Sequence, residues 1–361
     1  MRTEKATFAK VLLKWHSKEN TRSMPWKGEK DPYKIWLSEV ILQQTRVEQG
    51  WAYYERFLEA FPTIGDLARA PEGRVFKLWE GLGYYSRCRN LIATAKTIAT
   101  IYNGQFPADY QSIRALKGVG PYTAAAISSF AFNLPHAVVD GNVVRVLSRY
   151  FGISTPIDTT TGKKLYTDLA ESLLDRTKPG LYNQAIMDLG AVVCKPQNPL
   201  CPSCPQRSDC QAFLKGWVAQ LPIKEKTLQK KKRWFYYFII ETSDDKVYIR
   251  QRPAKDIWAD LYEFVIWEAP GAVYPDDLLR SEVLTKIFGK QSLTVKYISK
   301  LYRQELTHQT IQGQFITIRI EKPLKTLKDH ILIDKDKLNE YAFPKFINAW
   351  LQDPSPVQSL F

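Results

Sequence analysis

The sequence predicts a two-domain chain, an all-helical first domain followed by an α+β second one, and three observations carry that prediction. From about Thr7 to Gly216, apolar residues recur at helical spacing between short Gly/Pro breaks. After residue 233 the texture changes to aromatic and β-branched runs bounded by turn signals. Near the end of the helical part, four of the five cysteines fall within seventeen positions.

At 361 residues the chain has room for two or three domains and a sizeable core. Hydrophobic residues make up 45% and charged residues 24%, so disorder, collagen-like repeats and coiled coil are excluded as descriptions of the whole. Lysine and arginine number 51 against 37 acids, a net charge of +14. That excess favours a polyanionic partner, nucleic acid before an anionic membrane surface. Apolar stretches such as Val11-Leu12-Leu13 and 124–132 fall short of the roughly 18 residues of a membrane span. The N-terminal Met-Arg-Thr-Glu-Lys has mixed charge and no apolar core, so a cytoplasmic chain without membrane attachment is expected.

Along the first domain, Ile35, Trp36, Val40, Ile41 and Val47 mark one helical stretch, and Leu91, Ala95, Ile98 and Tyr102 another. Glu39 lies inside the first of these, flanked by Leu37, Val40 and Ile41. Read alone, it is a surface acid beside a core stripe. Gln43 and Arg46 follow at i+4 and i+7 and would extend it into a polar ridge facing a groove. Cys88 stands alone in a helix as a small core hydrophobe. Leu116-Lys117-Gly118-Val119-Gly120-Pro121 joins two helices. Its glycines permit a tight turn, Pro121 suits a first helical position, and the free amides of that helix start favour an anion such as a DNA phosphate. Asp140, ahead of the apolar run Val143-Val144, reads as a helix N-cap.

Cys194, Cys201, Cys204 and Cys210 form C-x6-C-x2-C-x5-C. Four thiolates so close in sequence surround one soft metal centre, and the spacing leaves open a tetrahedral zinc or a cubane iron–sulfur cluster. Residues 217–233, carrying Lys224, Lys226, Lys230, Lys231, Lys232 and Arg233, read as a basic solvated linker. In the second domain, 234–240, 247–250 and 315–320 read as strands, with helical patches near 275–288 and 335–351.

Taken together, the hairpin, the segment Val139-Asp140-Gly141-Asn142-Val143 and the cysteine loop resemble the endonuclease III superfamily of DNA glycosylases. The stretch from Pro25-Trp26-Lys27 to Val47 is more specifically similar to the adenine DNA glycosylases (MutY family). The resemblance covers nearly the whole chain, very specifically through residue 216 and moderately after 234. It implies a mainly α helix-hairpin-helix glycosylase domain over 1–216 with a [4Fe-4S] loop at 194–210. A Nudix-like α+β lesion-recognition domain over 234–361 would follow the linker. It implies Glu39 as the general acid acting at N7 of adenine. Asp140 would be the carboxylate facing the sugar, with Tyr122 and Asn142 tuning the pair. Tyr122 occupies the position where bifunctional relatives carry a Schiff-base lysine, and a phenol forms no imine, so a monofunctional enzyme is expected. Gln44 and Tyr84 match the intercalating positions. Arg22, Trp26, Lys27, Thr45, Leu82, Lys117, Gly118 and Gly120 complete the expected DNA and substrate contacts.

In the second domain Trp258-Ala-Asp-Leu-Tyr-Glu-Phe264 resembles the family's Leu-Trp-Glu-Phe strand. The glutamate-rich Nudix box is absent, which argues against nucleoside triphosphate hydrolysis. Leu306-Thr307-His308 stands where the family usually has Phe-Ser-His, so Thr307 and His308 keep the polar chemistry while the aromatic is lost. Lys27 stands where an arginine is usual. The expected protein is a monomer acting on double-stranded DNA in the cytoplasm, associated with the nucleoid. Its expected substrate is adenine opposite 8-oxoguanine or guanine. Two rivals share most of these features: a bifunctional glycosylase/lyase, and a non-catalytic iron–sulfur DNA-binding protein.

Overall fold

The computed structural model describes residues 2–225, 229–254, 256–289, 291, 293–354 and 357–358. Contacts divide the chain into one unit made of Met1–Arg69 with Arg89–Thr227, and a second made of Ala70–Cys88 with Leu228–Phe361.

In chain order the helices of the N-terminal part are α1 (Arg2–Lys18), α2 (Pro32–Leu42), α3 (Val47–Ala60), α4 (Ile64–Arg69), α5 (Glu72–Trp79), α6 (Ser86–Ile101), α7 (Tyr110–Ala115), α8 (Pro121–Phe132), α9 (Gly141–Phe151), α10 (Thr160–Leu173), α11 (Pro179–Asp188) and α12 (Gln211–Leu214). A π-helical turn, Leu189–Val193, leads from α11 into the cysteine loop. The core of this unit gathers Phe8, Leu12 and Trp15 of α1, Val146, Leu147 and Tyr150 of α9, Tyr166 of α10, and Tyr182 and Ile186 of α11. Cys88 is fully buried, as expected of a small core hydrophobe.

α2 is buried along nearly its whole length, from Tyr33 through Ile41 except Lys34. A helix so largely apolar has little solvent face to offer, and its one acid is drawn inside. The polar ridge expected from Glu39, Gln43 and Arg46 does not form. α2 stops at Leu42, Gln44 has φ 58°, and Arg46 becomes the exposed N-cap of α3. A left-handed Gln cannot continue a helix, and this reverses the chain before the third residue of the ridge.

The second unit is built on a nine-stranded mixed sheet: β1 (Lys231–Glu241), β2 (Lys246–Gln251), β3 (Tyr262–Glu263), β4 (Val265–Ala269), β5 (Thr294–Ser299), β6 (Tyr302–Glu305), β7 (Gln309–Arg319), β8 (Ile331–Asp334) and β9 (Val357–Gln358). β1 and β7 run parallel in continuous register from Lys231↔Gln309 to Glu241↔Arg319, and every residue of β1 from Phe235 onward is buried. Short helices α13 (Pro275–Leu279), α14 (Glu282–Phe288) and α15 (Lys345–Leu351) accompany the sheet, while 335–340 is a 3-10 turn.

Two readings change here. Lys231, Lys232 and Arg233 are not linker but the start of β1, where the two lysines stay exposed and Arg233 is half-buried. The Arg233 guanidinium lies between Asp256 (2.8 Å) and Glu268 (2.6 Å), so its charge is already matched. Lys226 of the expected linker lies outside the described residues. Residues 70–88 pack with the second unit: Lys77 Nζ donates to Tyr341 O (2.9 Å), and Phe343 N donates to Glu80 Oε1 (2.7 Å).

Candidate active site

The helical unit encloses a cavity of about 790 Å³, and Glu39, Tyr122, Asp140 and Asn142 all line it. Four residues from α2, α8 and the start of α9, separated by up to a hundred positions, are thus brought to one wall. α2 is fixed at its start by Asp31, whose carboxylate accepts from Tyr33 N (2.9 Å), with Pro32 at the first helical position. α8 is launched by the hairpin. Gly118 has φ 78°, and a Cβ there would lie 2.7 Å from the Asn90 side chain, so glycine is required on both counts. Gly120 is the N-cap and Pro121 the first residue of α8. Lys117 is exposed in the turn.

Glu39 is 7% exposed. Burial raises its carboxyl to about 7; the Tyr122 hydroxyl bonded to it opposes that rise, and the charge of Asp140 adds to it. Tyr122 is held as a phenol, well above its ordinary range, first by burial and then by the two neighbouring acids. Asp140 caps α9 through Oδ1, which accepts from Val143 N (2.7 Å), while Oδ2 accepts from Asn142 Nδ2 (2.7 Å). The N-cap reading of the sequence and the pocket position hold together. One wall therefore carries a neutral acid and a carboxylate already oriented by two donors, the pair of roles used in glycoside hydrolysis.

Behind that wall, Arg145 ties Asp140 to the cysteine loop. Its Nη2 donates to Asn142 Oδ1 (2.8 Å) and Gly190 O (2.7 Å), and its Nε to Cys194 O (2.7 Å). Arg149 adds donors to Cys194 Sγ (3.4 Å) and Lys195 O (2.8 Å). Cys194, Cys201, Cys204 and Cys210, none in a disulfide, line one small recess with Val193, Leu200 and Phe213. Burial pushes the thiols of Cys201, Cys204 and Cys210 up, Cys204 to about 11. Only a strongly positive centre would hold them as thiolates. Among the described residues no group of three or more Cys, His, Asp or Glu side chains is placed to hold a single metal ion.

The other expected contacts divide. Arg22, Trp26, Lys27, Gln44 and Thr45 line the cavity, and Trp26 packs edge-on against Tyr54 with centroids 5.3 Å apart. Gln44 is exposed at its left-handed turn. In the second unit Tyr84 is 44% exposed, also left-handed (φ 48°), and its hydroxyl bonds the Thr307 hydroxyl. Thr307 and His308 are exposed in the tight β6–β7 turn. Leu82, expected at the DNA, is buried. As the middle residue of Gly81-Leu82-Gly83, it turns inward where Tyr84 turns out. Sequence reasoning missed Arg145, Arg149 and the acid Asp188. The last is fully buried among apolar helix neighbours, and an acid between Met187 and Leu189 was its one signal.

The family described as HhH-GPD superfamily base excision DNA repair protein matches residues 37–172, and a NUDIX domain matches 236–353. The adenine DNA glycosylase of Buchnera aphidicola subsp. Baizongia pistaciae is 34% identical over 317 residues, covering 87% of each chain. The human adenine DNA glycosylase is 42% identical over 218 residues, 58% of this chain and 40% of that one. Among solved structures, a thermostable thymine-DNA glycosylase superposes with TM-score 0.55 at 30% identity, over 59% of this chain and 98% of that one. An endonuclease III–DNA complex, at TM-score 0.50 and 22% identity, covers 60% of this chain and 98% of its own and shares the fold.

Burying Glu39 has a measurable cost. Its folded value near 7 lies above the unfolded value of 4.5, so between those pH values the native state holds a proton the unfolded chain has released. Stability is lost as pH rises through this window, by about 3 kcal/mol in all at roughly 1.4 kcal/mol per unit. Glu39→Gln removes the proton. Its stability relative to wild type, measured by urea unfolding at pH 5 and pH 8, should improve by about that amount at the higher pH.

Proposed function

The chain belongs to the adenine DNA glycosylases of base-excision repair, and from that premise we propose that it is a monofunctional enzyme. It removes adenine opposite 8-oxoguanine, and opposite guanine, by acid-assisted hydrolysis of the N-glycosidic bond. The observation that carries this reading is a buried Glu39, protonated near neutrality, sharing one cavity with Tyr122 and the doubly hydrogen-bonded Asp140.

Extruding the target base costs a few kcal/mol and places it in the cavity. Glu39 gives its proton to N7 of the adenine. The C1′–N9 bond then breaks with its electron pair leaving on the base, and Asp140 balances the positive charge that develops on the sugar. Water supplies the hydroxyl at C1′ and returns a proton to the carboxylates. Tyr122 holds Glu39 in place, and Asn142 holds Asp140. Both cavity lysines have a bonded amine, Lys27 with Asp188 (3.1 Å) and Lys30 with Phe130 O (2.9 Å), which supports hydrolysis rather than imine chemistry.

Gln44 and Tyr84, both on left-handed backbone, are the side chains assigned to fill the opened stack. Lys117, with the Gly118–Gly120 turn and the amides starting α8, is assigned to a DNA phosphate. Thr307 and His308 are assigned to the base opposite adenine. Cys194, Cys201, Cys204 and Cys210 would hold a [4Fe-4S] cluster, which when bound would fix the loop and keep the four cysteines as thiolates. Among the described residues no helix is long and apolar enough to cross a membrane; a monomer acting on double-stranded DNA in the cytoplasm is part of the proposal.

Single-turnover excision on duplexes carrying adenine opposite 8-oxoguanine, guanine, cytosine or thymine tests this reading. The first two should be substrates, and borohydride should trap no covalent complex. Efficient trapping would establish the bifunctional reading instead. His308→Ala should reduce the preference for 8-oxoguanine over guanine roughly tenfold, because a polar contact to a base edge discriminates by about 1–3 kcal/mol. An unchanged preference would place lesion readout elsewhere.

Anaerobically purified protein should contain roughly four irons per chain and be yellow-brown. Cys204→Ser should lose iron and DNA affinity together. A colourless protein with one zinc per chain would overturn the cluster assignment.

A further inference from the structure

One buried acid that the mechanism does not use holds three of the residues that line the cavity, Arg22, Lys27 and Gln184. Asp188, the last residue of α11, is fully buried. Its Oδ1 accepts from Arg22 Nη1 (2.8 Å) and Gln184 Nε2 (2.9 Å). Its Oδ2 accepts from Asn20 Nδ2 (2.7 Å) and lies 3.1 Å from Lys27 Nζ. His16 approaches the same oxygen at 3.8 Å and shares a hydrogen bond with Asn20 (2.9 Å). Its bonding is saturated from α1, from the 19–31 loop and from its own helix.

Arg22 and Lys27 behave differently. Their side chains keep 20% and 24% of their surface and line the cavity, as does Gln184. An arginine has five N–H donors and a lysine three, so each has donors to spare after serving Asp188. Neither sits in a helix or strand, and the Lys27 amine also donates to Arg22 O (2.8 Å). Two long, flexible cations on a loop lose several rotatable bonds when they contact a ligand, and a buried carboxylate fixes them beforehand. A buried acid stripped of such partners would be strongly unfavourable, so the arrangement is mutual.

We propose that Asp188 is a positioning residue for base capture. It fixes Arg22 and Lys27 on the cavity wall so that their spare donors meet the acceptor nitrogens of an extruded purine, and it acts before the glycosidic bond breaks. The proposal rests on the adenine glycosylase reading, in which the cavity receives a base. It adds a step that Glu39 and Asp140 do not perform.

The test separates capture from cleavage. In a Glu39→Gln background, which binds without cutting, a duplex carrying 2-aminopurine opposite guanine reports unstacking by fluorescence, and a gel shift reports duplex affinity. Adding Asp188→Asn should reduce the captured fraction roughly tenfold, as expected for losing one charge-assisted hydrogen bond, while duplex affinity changes less than threefold. Unchanged capture, or capture and affinity falling in parallel, would overturn the proposal. Should Asp188→Asn fail to fold, Arg22→Gln and Lys27→Met ask the same question from the other side. Reduced capture in both supports the anchor, and normal capture in both overturns it. Wild-type excision of adenine opposite guanine, measured alongside, reports on the glycosylase reading independently.

Discussion

Glu39 is a carboxyl on a helix buried from Tyr33 to Ile41 at every position but Lys34, and much of the helical unit can be understood from that burial. α2 packs its apolar residues against its neighbours on every side, so the acid leaves solvent with them. An isolated ionised carboxylate in such a place is very costly, and the group answers by keeping its proton. The Tyr122 hydroxyl is then needed to satisfy it and to aim it, and α8 has to begin where it does to supply that hydroxyl. The hairpin with its obligatory Gly118 sets that beginning. The element that grips DNA phosphates in the proposed complex is thus also the one that places the phenol.

Asp140 needs the opposite treatment: a carboxylate kept close to, but distinct from, a neutral acid. The start of α9 provides it, through a backbone amide on one oxygen and Asn142 on the other. Arg145 carries this arrangement backwards to Gly190 and Cys194. At Gly190 a Cβ would come within 2.7 Å of Asn142 Cβ, so the approach of the π-helical turn to α9 allows no side chain. The same turn begins immediately after Asp188. One short segment therefore connects the anchor of the cavity's cations, the brace of its carboxylate and the first cysteine of the loop. A fixed cysteine loop is a condition for a fixed active site.

Much of this was legible in the sequence because local chemistry wrote it there. Asp140 before an apolar run is a cap, and Gly-x-Gly-Pro is a turn into a helix; the clustered cysteines do gather round one recess. The resemblance supplied roles for Glu39 and Tyr122 that spacing alone left undecided. What escaped depended on contacts distant in sequence or on single dihedrals. The ridge through Gln43 and Arg46 failed because one residue, Gln44, turned left-handed. Arg233 looked like linker charge until Asp256 and Glu268 were folded around it. Leu82 and Tyr84 look equivalent beside their glycines, and only the fold decides which one faces out. Asp188 meets Arg22 across 166 residues, a pairing with no periodic trace.

In the proposed reaction Glu39, kept neutral by burial, is the proton donor. The pH dependence of the single-turnover rate constant on a duplex with adenine opposite 8-oxoguanine tests it most directly. The rate should be level just below pH 7 and fall about tenfold per unit above the folded value of about 7. Glu39→Gln should lose that limb together with the activity. A rate that rises through pH 7 to 9, or a limb that survives Glu39→Gln, would contradict it.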